Sequence, residues 1–366
     1  MKNHNPNNER IKRKYLIFLK EAKRQNESSI DSVAQAISRF EIYNKYRDFK
    51  TFHFEQAVGF KKHLSKQNSQ RTGTPLSKST LNSTLRHLKD FFQWLAMQQG
   101  YKSRINYTDT EYFNLSEKDT AIATANRSKP IPTVEQILHV IKLMPNNTAV
   151  EKRDRSLIAF TLLTGARDKA IASLKLKHIN LDNNSVFQDA REVKTKFSKT
   201  STTFFFPVDD LFRQFFCDWV NYLKNELLFS NDDPLFPKTK IAQGDGNKFQ
   251  YTSLSKEHWQ TTTPIRAIFS KAFNAAGLPY FNPHSFRKTL ASLGETMSPN
   301  AEVFKAWSQN LGHVGVLTTF FSYGEVQPQR QAEIFKQFRT PSAPILPSVD
   351  EFAKAVVREM LNQPNS

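Results

Sequence analysis

The sequence contains a single cysteine, Cys217, so no disulfide can close within the chain and no cysteine-rich metal site can be assembled. No uninterrupted apolar run approaches the ~20 residues needed to span a bilayer. The first ten residues are polar and charged and do not read as a secretory signal. No His-Glu-x-x-His and no paired His/Cys spacing points to zinc. Acidic residues are in deficit, with 34 Asp and Glu against 52 Lys and Arg, a formal net charge of +18. Together these absences argue against a membrane-spanning, secreted or zinc-dependent protein. They leave a reduced, cytosolic one whose charge suits a polyanion, with nucleic acid the first candidate and an anionic membrane surface the second.

The 366 residues are enough for two or three domains, each with its own core. Composition breaks divide them. Residues 103–131 are polar and poor in aliphatics. After Arg339, Pro341, Pro344 and Pro347 interrupt any helix. The division expected is a basic N-terminal segment (1–28), a helical domain (29–105), a linker (106–130), a larger domain (131–340) and a tail (341–366).

In the first domain, Val33, Ile37, Phe40 and Tyr43 recur at helical spacing, and a second helix is expected over 51–65. Ser77 is a plausible N-cap for a long helix whose apolar face is Leu81, Leu85, Leu88, Phe92 and Leu95, with Gly100 stopping it. The hydroxyls and cations near its start, Arg71, Lys78, Thr80, Arg86 and Lys89, suit contacts to a phosphate backbone. Residues 9–24 form a basic helix candidate, either a separate arm or part of this domain.

In the larger domain, helices are expected over 133–144, 153–164, 210–229, 264–276 and 284–295, with another ending across 173–180. Strands are expected over 186–190 and 202–208, joined by a lysine-rich stretch from Arg191 to Lys199. The fold class is therefore mainly α with a small antiparallel sheet. Asp209-Asp210 and Asp232-Asp233 sit beside prolines and read as turn or helix-cap acids. One further amphipathic helix is expected over 349–361.

Four short segments carry possible chemistry. Thr164-Gly165-Ala166-Arg167 ends an apolar helix in a turn that projects an arginine from a buried support. Pro283-His284-Ser285-Phe286-Arg287 puts a histidine and an arginine on one helix face. Leu311-Gly312-His313 reads as a helix end with a histidine just beyond it. Phe320-Phe321-Ser322-Tyr323-Gly324 holds a tyrosine among small and aromatic residues. Singly, each is more often a turn, a solvated helix face or core. Their order and spacing are what matter.

In that order they resemble the tyrosine recombinase, or phage integrase, family over about 129–339, with a looser likeness of 29–101 to the family's helical core-binding domain. The resemblance implies catalytic roles for Arg167, Arg287, His284 and His313, and Tyr323 as the nucleophile. It also implies a lysine on a β-hairpin. Counting back from Pro207 favours Lys199, with Lys194 and Lys196 selected by a hairpin of different length. Two departures stand out. Ala170 occupies the position where the family usually has an acidic brace, and Tyr323 falls one residue later than usual, where Ser322 takes the expected place. The phenol's pKa of ~10 keeps Tyr323 the better nucleophile.

The resemblance further implies a covalent 3′-phosphotyrosine intermediate, no metal, ATP or other cofactor, and double-stranded attachment-site DNA as partner. It implies a homotetramer in the synaptic complex, an accessory directionality factor, and a place in the bacterial cytoplasm at the nucleoid. Integration or excision of a mobile element is the expected use. The competing readings are a type IB topoisomerase and a DNA-binding regulator on an inactive scaffold, the latter favoured only by Ala170.

Overall fold

The computed structural model describes residues 4–70, 72–125, 130–243 and 249–313, without the side chains of 241–243 and 249–252. The chain divides into two compact units, Met1–Asn126 and Arg127–Ser366. Among the described residues no helix is long and apolar enough to cross a membrane.

The first unit is helical: α1 (Pro6–Ile17), α2 (Glu27–Tyr43), α3 (Phe54–Ser65), α4 (Lys78–Ala96) and α5 (Glu117–Thr124). Ser77 caps α4, its hydroxyl accepting from the Thr80 N–H, and all five residues of the expected apolar stripe are buried. The interior is aromatic, with Phe40, Phe49, Phe60, Phe91, Phe92 and Phe113 at most 1% exposed. Rings of this size bury more apolar area per residue than aliphatics do, and offset and edge contacts fix their packing.

Three boundaries differ from expectation. The basic segment at the N-terminus is not separate from the helical unit but packs as part of it, one of the two readings its sequence allowed. Ile11, Tyr15 and Leu19 are buried, and the Tyr15 ring lies 5.1 Å from Phe91 and 4.9 Å from Trp94. Residues 106–125 are not a bare linker. Phe113 is buried within the 3₁₀ turn Tyr107–Phe113, and α5 packs on α4. Helix α4 ends at Ala96, short of Gly100.

The second unit begins with α6 (Val134–Leu143) and α7 (Ala149–Thr164), each opened by a capping box, Thr133 with Gln136 and Thr148 with Glu151. Helix α7 is the centre of this unit, since every residue from Ser156 to Thr164 is buried. It is followed by the single turn α8 (Asp168–Ile171) and an antiparallel sheet of β1 (Ile179–Asn180), β2 (Ser185–Gln188) and β3 (Ser201–Phe204), in that spatial order. The helix expected across 173–180 is absent. That stretch instead makes a 3₁₀ turn at Leu176–His178 and enters β1, because the backbone of Leu174, Leu176 and Lys177 pairs with residues 231–235. Helix α9 (Asp210–Asn221) runs on into a π turn, Tyr222–Glu226, and a hairpin of β4 (Thr239–Gln243) and β5 (Phe249–Leu254) follows. Helices α10 (Thr263–Ala275), α11 (Pro283–Met297) and α12 (Ala301–Asn310) complete the described part. The acidic pairs behave as read from sequence. Asp209 caps α9 through the Leu211 N–H, and Asp233 accepts from the Ser230 N–H.

Candidate active site

The site grows from three chain turns that meet in the second unit. At the end of α7 the Thr164 hydroxyl donates to the Phe160 carbonyl and accepts from the Ala166 N–H. Gly165 then adopts φ +59, the left-handed conformation that glycine takes without strain. A Cβ there would lie 3.1 Å from side-chain atoms of both Leu290 and Leu311, so the position also lacks room. Arg167 follows with extended backbone and starts α8 half-buried.

The second turn closes α12. The Gly312 N–H donates to the Gln309 carbonyl and the His313 N–H to the Ser308 carbonyl, with Gly312 at φ +73. This is the Schellman arrangement, and it explains why Leu-Gly-His is the local sequence: only glycine suits the left-handed position before the histidine.

Helix α11 joins the two. Asn282 caps it through the Ser285 N–H, with Pro283 in its first turn. Arg287 projects inward, 3% exposed, and its guanidinium donates to the Gly165 and Leu311 carbonyls. Its Nη2 also lies 3.3 Å from His313 Nε2. A guanidinium only donates, so Nε2 accepts and the His313 proton resides on Nδ1. Burial first, then the charges of Arg287, Arg167, Lys196 and His284, push the His313 pKa down to about 4. His284, on the solvent side of α11, is also lowered, by desolvation and then by Arg287, Arg167 and Lys288. Both imidazoles are therefore neutral at pH 7 beside two permanent cations.

The sheet supplies the third side. With Val186 opposite Thr203 and Gln188 opposite Ser201, one face of β2 and β3 turns Gln188, Ser201 and Thr203 toward Arg167 and Arg287 around one cleft. Lys196 and Lys199, from the β2–β3 connection, line the same cleft, and Lys196 is the lysine whose charge reaches His313. Lys194 does not line the cleft; its charge acts on His258, and its backbone N–H donates to Ser173.

Ala170 is buried against the cleft, so no carboxylate occupies that position. The nearby Asp168 receives two hydrogen bonds from Arg266, at 2.7 and 3.0 Å. Among the described residues no group of three or more His, Cys, Asp or Glu is placed to hold a metal. Tyr323, Ser322 and the helix expected over 349–361 lie outside the described residues.

One contributor was not read from the sequence. The Asn310 amide donates to the Phe204 carbonyl and accepts from the Phe204 N–H, at 2.9 and 2.7 Å. It pairs with the open edge of β3 as a neighbouring strand would, and so ties the hairpin to the helix that ends in His313. No local signal marks an asparagine for this.

The phage integrase family matches residues 132–329, which hold every one of these side chains. The chain belongs to that family, the tyrosine recombinases. It is 23% identical over 269 residues to tyrosine recombinase XerC of Lactobacillus leichmannii, covering 73% of this chain and 78% of the relative. Two solved structures share the fold. One is the Tn1549 transposon integrase in complex with transposon right end DNA (TM-score 0.56, 16% identity, 90% of this chain and 99% of that one). The other is a lambda integrase dimer bound to a COC′ core site (TM-score 0.55, 11% identity, 87% and 96%). The general activity of this tyrosine recombinase is thus DNA strand transfer in site-specific recombination.

Thr80, one of the residues expected to contact DNA, lines a polar groove at the start of α4 together with Arg39, Gln67, Asn68 and Ser77, and Arg39 donates to Thr84. Arg86 is exposed. Lys78 pairs with Asp119 at 2.9 Å and Lys89 with Glu111 at 2.7 Å. Arg71 lies outside the described residues.

Proposed function

We propose that this recombinase cleaves DNA by attack of the Tyr323 phenol on a backbone phosphorus. A bond forms from the tyrosine oxygen to phosphorus as the phenol gives its proton to solvent, and the bond to the 5′ oxygen breaks, leaving a 3′-phosphotyrosine. Arg167 and Arg287 neutralise the charge that builds on the non-bridging oxygens, an interaction stronger in the transition state than in the ground state. A hairpin lysine, Lys196 or Lys199, delivers a proton to the departing 5′ oxygen. A different 5′ hydroxyl then reverses the step, so strands are exchanged without ATP, metal or other cofactor. The observation that carries this reading is the convergence of Arg167, Arg287, His313 and the two lysines around one cleft.

The double-stranded substrate would carry defined attachment sites. Four copies would act together, with residues 349–361 packing on a neighbour, and an accessory factor would set direction. Integration or excision of a mobile element is the use we favour, because the solved neighbours on DNA are integrases of a transposon and of lambda. The N-terminal helical unit supplies Thr80, Arg39 and Arg86 to the DNA backbone.

Trapping the covalent intermediate tests the scheme. On nicked duplexes carrying candidate attachment sites, a denaturation-resistant protein–DNA adduct is expected from the wild type and Ser322→Ala and none from Tyr323→Phe. Loss with Ser322→Ala alone would move the nucleophile by one residue. Tight binding without any adduct would favour the regulator, with Ala170 the first place to seek the lost activity. A 5′-phosphorothiolate, whose leaving sulfur needs no proton, should rescue cleavage by whichever of Lys196→Ala and Lys199→Ala removed the acid.

A further inference from the structure

The tip of the β2–β3 connection is built unlike the rest of the sheet. Phe197 is 88% exposed, far more than Phe187 or Phe204 on the neighbouring strands. A lone exposed apolar side chain is ordinary. This one also has φ +59, and Ser198 follows at φ +50, so two consecutive non-glycine residues are left-handed. That conformation is strained for a bulky residue. Here the ring gains no burial in return.

The base beneath the tip is firmly held. Val193 is buried, the Lys194 N–H donates to Ser173, and the Ala190 N–H donates to Thr200. Glu192 accepts from Lys177 at 2.9 Å and lies 3.1 Å from His178 Nε2. His178 Nδ1 accepts from the Lys175 N–H, so the neutral ring turns its Nε2 proton to that carboxylate. The left-handed pair thus projects the ring outward from an anchored support.

Charge identifies what the ring meets. Lys196 and Lys199 flank it and both line the Arg167–Arg287 cleft, and Lys196 Nζ stands 4.8 Å from the ring centroid. Phe197 lies between Lys196 and Lys199 in the chain, so a phosphate held by those lysines would have the exposed ring beside it. Cations that hold the backbone beside one protruding apolar group are what a duplex-opening wedge requires.

We propose that Phe197 enters the duplex next to the phosphate held in the cleft and unstacks the neighbouring base step. Its action is to loosen the bases that must leave one partner and pair with another. The inference rests on the recombinase reading above.

The test uses full-length protein and duplexes selected from a random pool by binding to the Tyr323→Phe variant, each checked for adduct formation by wild type. 2-Aminopurine is then placed at successive positions around the cleaved phosphate. Tyr323→Phe protein should raise fluorescence severalfold at one step beside that phosphate. Adding Phe197→Ala should remove most of the rise, and adding Phe197→Leu, which keeps an apolar wedge, should retain most of it. A rise unchanged by Phe197→Ala, or no rise at any position on a duplex that forms adducts, overturns the wedge alone. No adduct on any selected duplex removes the recombinase reading and the wedge with it.

Discussion

Arg153 and Arg287 are each 3% exposed in the same unit, yet their surroundings differ in kind. Arg153 on α7 meets the Asp154 carboxylate at 2.6 and 2.9 Å, donates to the Pro237 carbonyl and Thr239, and lies over the Trp259 ring. Arg287 is gripped by the carbonyls of Gly165 and Leu311. A carboxylate cancels a guanidinium's charge. A carbonyl orients it without itself cancelling the charge. Equal burial therefore comes with a carboxylate contact for Arg153 and with backbone-carbonyl and histidine contacts for Arg287, the arginine we propose to meet the phosphate.

The comparison can be broken by removing each arginine in turn. Arg153→Met should lower unfolding free energy by about 1–3 kcal/mol, because the half-buried Asp154 loses its nearest counter-charge and hydrogen bonds. Denaturant melts would register this, while the adduct-forming rate per folded molecule should hold. Arg287→Gln should reverse the pattern, with adduct formation falling about 10²–10³-fold, the loss typical of one transition-state donor. A large fall in rate from Arg153→Met would show that the two sites are not separable in this way.

Gly165→Ala probes the grip itself. Positive φ and the crowding by Leu290 and Leu311 together should destabilise by about 1–2 kcal/mol. Because the carbonyl of that residue holds Arg287, activity in the remaining folded protein should also drop; a fall in melting temperature with full activity would argue against the grip.

The smallest effect at neutral pH belongs to His313. Above about 6.5 the imidazole is neutral in both folded and unfolded chains, and it adds no pH dependence. As pH falls below that, the unfolded chain takes a proton that the folded chain, with its pKa near 4, refuses. Stability should therefore decline with falling pH across about 6.5 to 4. His313→Asn, compared by denaturation over that range, should decline less steeply; parallel curves would contradict the buried neutral ring.

The parts of this architecture legible in sequence are those fixed by a few consecutive residues. Thr-Gly-x-Arg is readable because one glycine angle makes the turn, and Leu-Gly-His because the Schellman end needs glycine just there. The Ser77 cap and the Leu81–Leu95 stripe are local in the same sense. What escaped depends on distant partners. Asn310 pairs with Phe204 across 106 residues of chain. Residues 173–180 leave helical form because residues 231–235 bind their backbone. The β4–β5 hairpin carries no strong alternation of its own. Counting from Pro207 favoured Lys199, but the left-handed pair at Phe197 and Ser198 sets the length and bend of the connection. It brings Lys196 to the cleft as well and puts its charge, the one that reaches His313, in range.

The two carbonyls that hold Arg287 also set a schedule. On the ribosome Gly165 is made long before Arg287, and Leu311 is made later still. Until α12 has closed on its glycine, the arginine has only half its seat. A chain that stops short of Leu311 therefore lacks one of the two carbonyls that orient this arginine.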